Sequence, residues 1–251
     1  MPATSELPPG YRLHAHDTLD STNEEANRLA RDGAPAGTVV WALRQTAGRG
    51  RTGRSWTSET GNLLFSLLLR PDVPPAAAAQ LSFVAALALG EAVSEVLPPG
   101  VDLRYKWPND LLLDGRKAAG ILLESAGATG CGLNWLIVGW GLNIASFPQT
   151  TEGYPATSLA AAGAVGVDPG DMLARVLRRF DAWQARWKEE GLAAVRGAWL
   201  ERAARVGEEI SVRLPRDRLV GRFRGLDENG ALVLDLADGT SRTITAGDVF
   251  F

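Results

Sequence analysis

Gly48-Arg49-Gly50-Arg51-Thr52-Gly53-Arg54-Ser55-Trp56 stands between two apolar runs, Val39-Val40-Trp41-Ala42-Leu43 and Leu63-Leu64-Phe65-Ser66-Leu67-Leu68-Leu69. How it is read separates a folded domain with a cationic loop from a chain carrying a disordered Arg-Gly tract. An isolated Arg-Gly repeat is usually a linker or a nucleic-acid tail. Two flanking runs of strand-like composition make this one a loop between buried strands of a single domain. Glycines permit close backbone approach and positive φ, and arginines present planar donor forks suited to phosphate or carboxylate oxygens. The loop is therefore expected to be a mobile clamp for an anionic ligand.

Composition agrees with a small anion rather than a polyanion. The 251 residues are 45% hydrophobic and 22% charged with net charge -3, which argues against a general binder of nucleic acid or anionic membrane. Between Leu43 and Ser55, Arg44, Arg49, Arg51 and Arg54 occur with no acid. The single Cys131 excludes an internal disulfide and any metal site built on cysteine pairs, and only His14 and His16 could add imidazole. Met1 to Gly10 does not read as a signal sequence, and no membrane-length apolar stretch is read elsewhere. These features point to the cytoplasm and to no membrane partner.

Along the chain, Ser21-Thr22-Asn23-Glu24 has the pattern of a capping box opening a short helix. Strands are expected at about 38–44 and 62–70, then a long apolar helix from about Ala76 to Leu97. A strand over Val101 to Trp107 leads to a hairpin, Leu111-Leu112-Leu113, a turn at Asp114-Gly115, and a partner strand from Arg116 to Glu124. After a Gly-rich turn through Gly127 and Gly130, Trp135 to Ile144 reads as a strand whose glycines mark a close approach or a bulge. Met172, Leu173, Val176, Leu177, Phe180, Trp183 and Trp187 form one face of a helix at about 171–189. From Val206 short alternating β segments follow, so the expected organisation is a catalytic domain over 1–205 and a small β module over 206–251, docked because it is marginal alone.

Four clusters stand in order: Ser21-Thr22-Asn23; Gln45 with Gly48 to Trp56; Lys106-Trp107-Pro108-Asn109-Asp110 with Lys117-Ala118-Ala119-Gly120-Ile121-Leu122; and Gly139-Trp140-Gly141-Leu142-Asn143. Together they resemble the biotin protein ligase family over about residues 17–145, and the β module resembles that family's SH3-like C-terminal domain. The resemblance implies an α+β fold shared with class II aminoacyl-tRNA synthetases, with a mixed β-sheet catalytic domain and a small C-terminal SH3-like barrel. It implies ATP and biotin as substrates, Mg²⁺, and a biotin carboxyl carrier protein as acceptor. Biotin carboxylate would attack the α-phosphate of ATP, and a carrier lysine would then attack biotinoyl-AMP.

By the same resemblance, Ser21, Thr22, Asn23, Gln45, Arg49, Gly50, Arg51, Lys117 and Gly120 bind biotin, and Arg49, Arg51, Arg54, Trp56, Lys117 and Asn143 bind the nucleotide. Lys117, Arg51, Asp110 and Lys106 are the catalytic candidates, Asp110 orienting or deprotonating the incoming amine. Read from the residues alone, Ser21 could be only a helix cap, Trp56 a core tryptophan, Lys117 a solvated surface cation and Asp110 a structural ion pair or turn cap. Metal ligands are not assigned.

Some members of that family carry an N-terminal DNA-binding domain; only about twenty residues precede Ser21, so the monofunctional type and no DNA are expected. An exposed edge near Trp135 to Ile144 would support a homodimer. The rival readings are a lipoate-type ligase on the same fold, whose Arg-Arg and triple-glycine pattern is not seen, and a non-catalytic biotin-binding protein.

Overall fold

The computed structural model describes residues 6–57, 59–129, 132–149 and 154–251. Its centre is a seven-stranded mixed sheet in the order β1 (Arg12–Leu19), β2 (Thr38–Gln45), β3 (Leu63–Leu69), β7 (Gly132–Leu142), β6 (Arg116–Thr129), β5 (Asp110–Leu113) and β4 (Leu103–Lys106). Only β1 and β2 run parallel; the remaining pairs are antiparallel. Every residue of β3 is buried, which explains a run that is apolar but for Ser66: a strand covered on both faces has no solvent side on which to alternate. β1 escaped the sequence reading because Arg-Leu-His-Ala-His-Asp-Thr-Leu holds no fully buried residue and lies at a sheet edge.

Helix α1 (Thr22–Arg31) covers one face, where Ala26 and Ala30 meet Val40, Leu68 and Ile137. On the other face α2 (Pro75–Ala79), α3 (Leu81–Ser94), α4 (Pro169–Glu190) and α5 (Leu192–Glu201) enclose the larger core. There Phe65 stacks on Trp140 at 4.6 Å, and Phe180 meets Trp140 edge-on at 5.7 Å. The apolar stripe expected on one helix face is buried along α4.

Several expectations need correction. The single helix from Ala76 to Leu97 is two, meeting at Gln80. The run Pro75–Ser94 is long and apolar enough to cross a membrane, contrary to expectation, but 67% of its apolar 18-residue window is buried inside the fold, where it serves as core. Ser21 does occupy the cap position of α1, yet its hydroxyl makes no capping hydrogen bond and Glu24 is drawn to Arg49, so the capping box is not formed. No bulge interrupts the glycines of β7; the irregularity falls between Leu111 and Leu112. Nor is β7 an edge: it pairs with β3 on one side and β6 on the other, which removes the basis for a dimer there. The turn through Gly130, and Cys131, lie outside the described residues.

The C-terminal module is a five-stranded antiparallel sheet of SH3-like type, ordered β11 (Ser241–Ile244), β10 (Leu232–Asp235), β9 (Arg218–Leu226), β8 (Glu209–Arg213), β12 (Asp248–Phe250). It is docked on the main sheet. Phe223, Leu232 and Leu234 join the large core, and the Trp107 indole donates to the Gly230 carbonyl at 3.2 Å.

Candidate active site

The floor of the site is made by glycines on adjacent strands. On β7 a Cβ at Gly139 would stand 2.1 Å from the Asn23 carboxamide oxygen and one at Gly141 2.5 Å from the Trp56 ring, and on β6 one at Gly120 would stand 3.2 Å from the same ring. These strands therefore admit other side chains against their backbone, the role expected of strand glycines at a close approach. Above them runs a buried polar chain. Thr22 donates from its backbone N–H (2.8 Å) and hydroxyl (3.1 Å) to Gln45 Oε1. Ser66 Oγ lies 2.8 Å from Thr22 Oγ1 and 2.5 Å from Asn23 Oδ1, and Asn23 Nδ2 donates to Glu124 Oε2 at 2.8 Å.

The arginine loop closes on itself. Gly48 O accepts from Trp56 N–H at 2.9 Å, and a Cβ at Gly48 would meet the Trp56 carbonyl oxygen at 2.5 Å. Within a short 3₁₀ turn, Thr52 and Gly53 both take positive φ (54° and 75°), which glycine adopts freely. Each arginine has a different destination. Arg49 bridges Glu24 and Glu124, both at 2.7 Å. Arg54 reaches Asp248 on β12 at 2.6 Å, tying the loop to the C-terminal module. Among the described residues the Arg51 guanidinium has only long contacts, to Asn109 Oδ1 at 3.4 Å and the Gly247 carbonyl at 3.5 Å, and burial pulls its pKa down despite Asp248 and Asp110 nearby. A partly desolvated guanidinium held this loosely is ready for an anion.

Asp110 is the electrostatic hub. Its Oδ1 lies 2.6 Å from Lys117 Nζ, an ion contact rather than a directional hydrogen bond, and its Oδ2 accepts from Lys106 Nζ at 3.2 Å. Burial alone would raise the carboxyl pKa, but the charges of Lys117 and then Lys106 more than offset it and hold Asp110 below its ordinary value. Lys106 is shifted down by its own burial, which outweighs the pull of Asp110. Its ammonium sits 4.8 Å over the Tyr154 ring, and burial pushes the Tyr154 hydroxyl up to about 12. Hairpin geometry aims these groups: the two-residue turn at Asp114 and Gly115, both at positive φ, returns β6 beside β5 and sets Lys117 against Asp110.

Two cavities share this machinery. The first, about 130 Å³, is lined by Ser21, Thr22, Asn23, Gln45, Arg49, Gly50, Arg51, Arg54, Trp56, Lys106, Asp110, Lys117 and Gly120, among others. The adjoining second, about 740 Å³, is bounded by Arg54, Trp56, Lys106, Asp110 and Lys117 again, with Asn143, Tyr154 and the C-terminal module. The fold thus brings every sequence candidate to one region. Trp56 is not a distant core residue: its ring lies over Gly120 and Gly141, 5.6 Å from Lys117 Nζ. Among the described residues its indole N–H and the Asn143 carboxamide oxygen are buried without a hydrogen-bond partner, so both are open to a group entering the cavity.

Asn109, Glu124, Ser66, Asp248 and Tyr154 also belong to this region and were not among the sequence candidates. Asn109, whose Nδ2 donates to the Ile121 carbonyl at 2.6 Å, stood inside the Lys-Trp-Pro-Asn-Asp box, and Glu124 was an acid closing an apolar strand. Asp248 had no such signal. Among the described residues no three His, Cys, Asp or Glu side chains gather as a metal cage. The carboxylates lining the two cavities, Asp110 and Asp248, already face cations of the protein.

Set beside known proteins, residues 7–201 match the biotin/lipoate A/B protein ligase family and residues 206–251 the biotin protein ligase C-terminal domain. The chain is 45% identical over 236 residues to the biotin--[acetyl-CoA-carboxylase] ligase of Paracoccus denitrificans, covering 92% of this chain and 97% of that one. It is 34% identical to the bifunctional ligase/repressor BirA of Bacillus subtilis, covering 94% of this chain and 73% of BirA. Among solved structures, a biotin protein ligase from Aquifex aeolicus in complex with biotin and ATP superposes with a TM-score of 0.82 at 31% identity, covering 95% and 97% of the two chains.

Proposed function

We propose that this chain, which belongs to the biotin/lipoate A/B protein ligase family, is an ATP-dependent ligase that activates biotin and attaches it to a lysine of a biotin carboxyl carrier protein. The observation that carries the reading is the convergence of the Thr22–Gln45 polar chain, the arginine loop and the Lys106–Asp110–Lys117 triad on one pair of cavities. In the first step a biotin carboxylate oxygen bonds to the α-phosphorus of ATP and pyrophosphate leaves. In the second a lysine amine bonds to the acyl carbon, AMP leaves with the bonding pair, and the amine loses a proton.

Ser21, Thr22, Asn23 and Gln45 serve the ureido ring, which both donates and accepts hydrogen bonds, together with backbone near Arg49 and Gly50; Gly120 leaves room beside them. Lys117 and Arg51 face the carboxylate and α-phosphate and stabilise charge that develops there. Arg54, Trp56 and Asn143 serve the nucleotide. Asp110, kept ionised by two lysines, is better suited to hold Lys117 and orient the incoming amine than to take its proton. Mg²⁺ is proposed only as a companion of the ATP phosphates, the usual way this ion is held. Residues 1–205 are the proposed catalytic unit and 206–251 its docked module. No role on DNA is proposed for a chain of net charge -3.

The test is biotin-dependent exchange of labelled pyrophosphate into ATP, followed by transfer of labelled biotin to a carrier domain. Because the matched family includes lipoate ligases, lipoate is the control substrate. Exchange with lipoate and none with biotin would overturn the assignment, and binding of biotin with no exchange would make the chain a non-catalytic binder.

A further inference from the structure

We propose that Arg213, at the end of β8 in the C-terminal module, is a binding residue for the β- and γ-phosphates of the nucleotide, an anchor for the pyrophosphate that leaves. The inference rests on the ligase reading above and adds a contact from the small module.

The larger cavity is lined by four cations, Arg54, Lys106, Lys117 and Arg213, and by two carboxylates, Asp110 and Asp248. Both carboxylates are engaged: Asp110 faces Lys106 and Lys117, and Asp248 pairs with Arg54. Asp248 is the cross-strand partner of Arg213, yet its carboxylate turns to the arginine loop instead. Among the described residues Arg213 has no ion pair, so it brings an uncompensated positive charge to the cavity wall. The position of that charge is defined, because the guanidinium carbon lies 4.6 Å over the Phe250 ring, and Phe250 lines the same cavity. Such stacking fixes the guanidinium without using its hydrogen-bond donors.

The chemistry of the wall separates two kinds of ligand group. The unpartnered Asn143 Oδ1 and Trp56 N–H are neutral and suit an uncharged ring. An unpaired arginine fork suits phosphate oxygens. Without Arg213 the excess of cations over carboxylates around the cavity falls by half, in a site that must hold a polyanion.

The test compares the two half-reactions in the full-length chain. In biotin-dependent pyrophosphate exchange, Arg213→Ala should raise KM for both ATP and pyrophosphate about tenfold, the equivalent of one charge-assisted hydrogen bond, and Arg213→Lys should recover part of it. The affinity for biotin should not change. Transfer from chemically prepared biotinoyl-AMP to a carrier domain should proceed at the wild-type rate, since no β- or γ-phosphate is present in that step. Unchanged KM values in the alanine variant would overturn the proposal. Equal losses in exchange and in transfer would also overturn it, assigning Arg213 to the fold. Absence of exchange in the wild-type chain would instead remove the ligase reading, and this inference with it.

Discussion

Lys117 Nζ lies 2.6 Å from Asp110 Oδ1, although the two residues sit on different strands of a hairpin. The same carboxylate also holds Lys106 at 3.2 Å. One buried anion therefore keeps two ammonium groups together at the wall shared by the two cavities.

Replacing Asp110 with Asn removes the charge while keeping the shape. Two lysines would then face each other without compensation, a loss of about 3 kcal/mol in unfolding free energy by analogy with broken buried pairs. Asp110 has a lowered pKa in the fold, so its contribution is present above the unfolded carboxyl value and is lost as pH falls through the folded value. Chemical denaturation at several pH values should show wild-type stability falling below the ordinary carboxylate range, with Asp110→Asn lacking that part of the fall.

Lys117→Ala should slow adenylate formation by about 10²–10³-fold, the usual effect of deleting a donor at developing charge. Docking of the carrier domain should change little. Pyrophosphate exchange near the wild-type rate would take Lys117 off the catalytic list.

Arg51→Gly should release biotinoyl-AMP faster, by about tenfold for one lost charge-assisted contact. Arg49 and Arg54 already bind carboxylates of the protein, whereas Arg51 has only contacts of 3.4 and 3.5 Å to give up. Rapid-dilution trapping of the intermediate measures the rate, and unchanged release would count against the clamp.

Two glycines should respond differently to alanine. At Gly139 the new methyl meets Asn23, whose carboxamide is bonded to Ser66 and Glu124, so Gly139→Ala should cost about 1–3 kcal/mol through broken buried hydrogen bonds. At Gly141 it meets the Trp56 ring, whose N–H has no hydrogen bond among the described residues to lose, so stability should fall less while KM for ATP rises. Thermal unfolding and steady-state kinetics on both variants read the difference; equal destabilisation would contradict it.

Much of the site was legible in the chain because its parts are local. The arginine loop, the Lys106 to Asp110 box and the Asp114-Gly115 turn before Lys117 each owe their form to neighbours in sequence. β1 was not legible, since an edge strand with little burial has no apolar signal. The expected dimer edge failed because hydrophobic pattern shows that a strand is buried but not which strands flank it. Ser21 shows a further limit: a cap motif states what a side chain can do locally, yet Ser21 stands at the cap position without making the capping bond and lines the cavity.

Residue order alone was enough to show the chemical types, a cationic glycine-rich loop, a lysine four residues from a carboxylate, and strands with glycine gaps, because each depends on side-chain identity and short spacing; that Lys117 shares the same carboxylate came from the hairpin pairing. Which groups meet was settled by packing. Arg54 finds Asp248 across 194 residues, Asn23 finds Glu124 across 101, and Arg213 has no ion pair among the described residues because its cross-strand neighbour Asp248 turns to the loop. Contacts of that range are set by strand order and by the docking of the small module, which depend on burying one common core and leave no periodic trace in the chain.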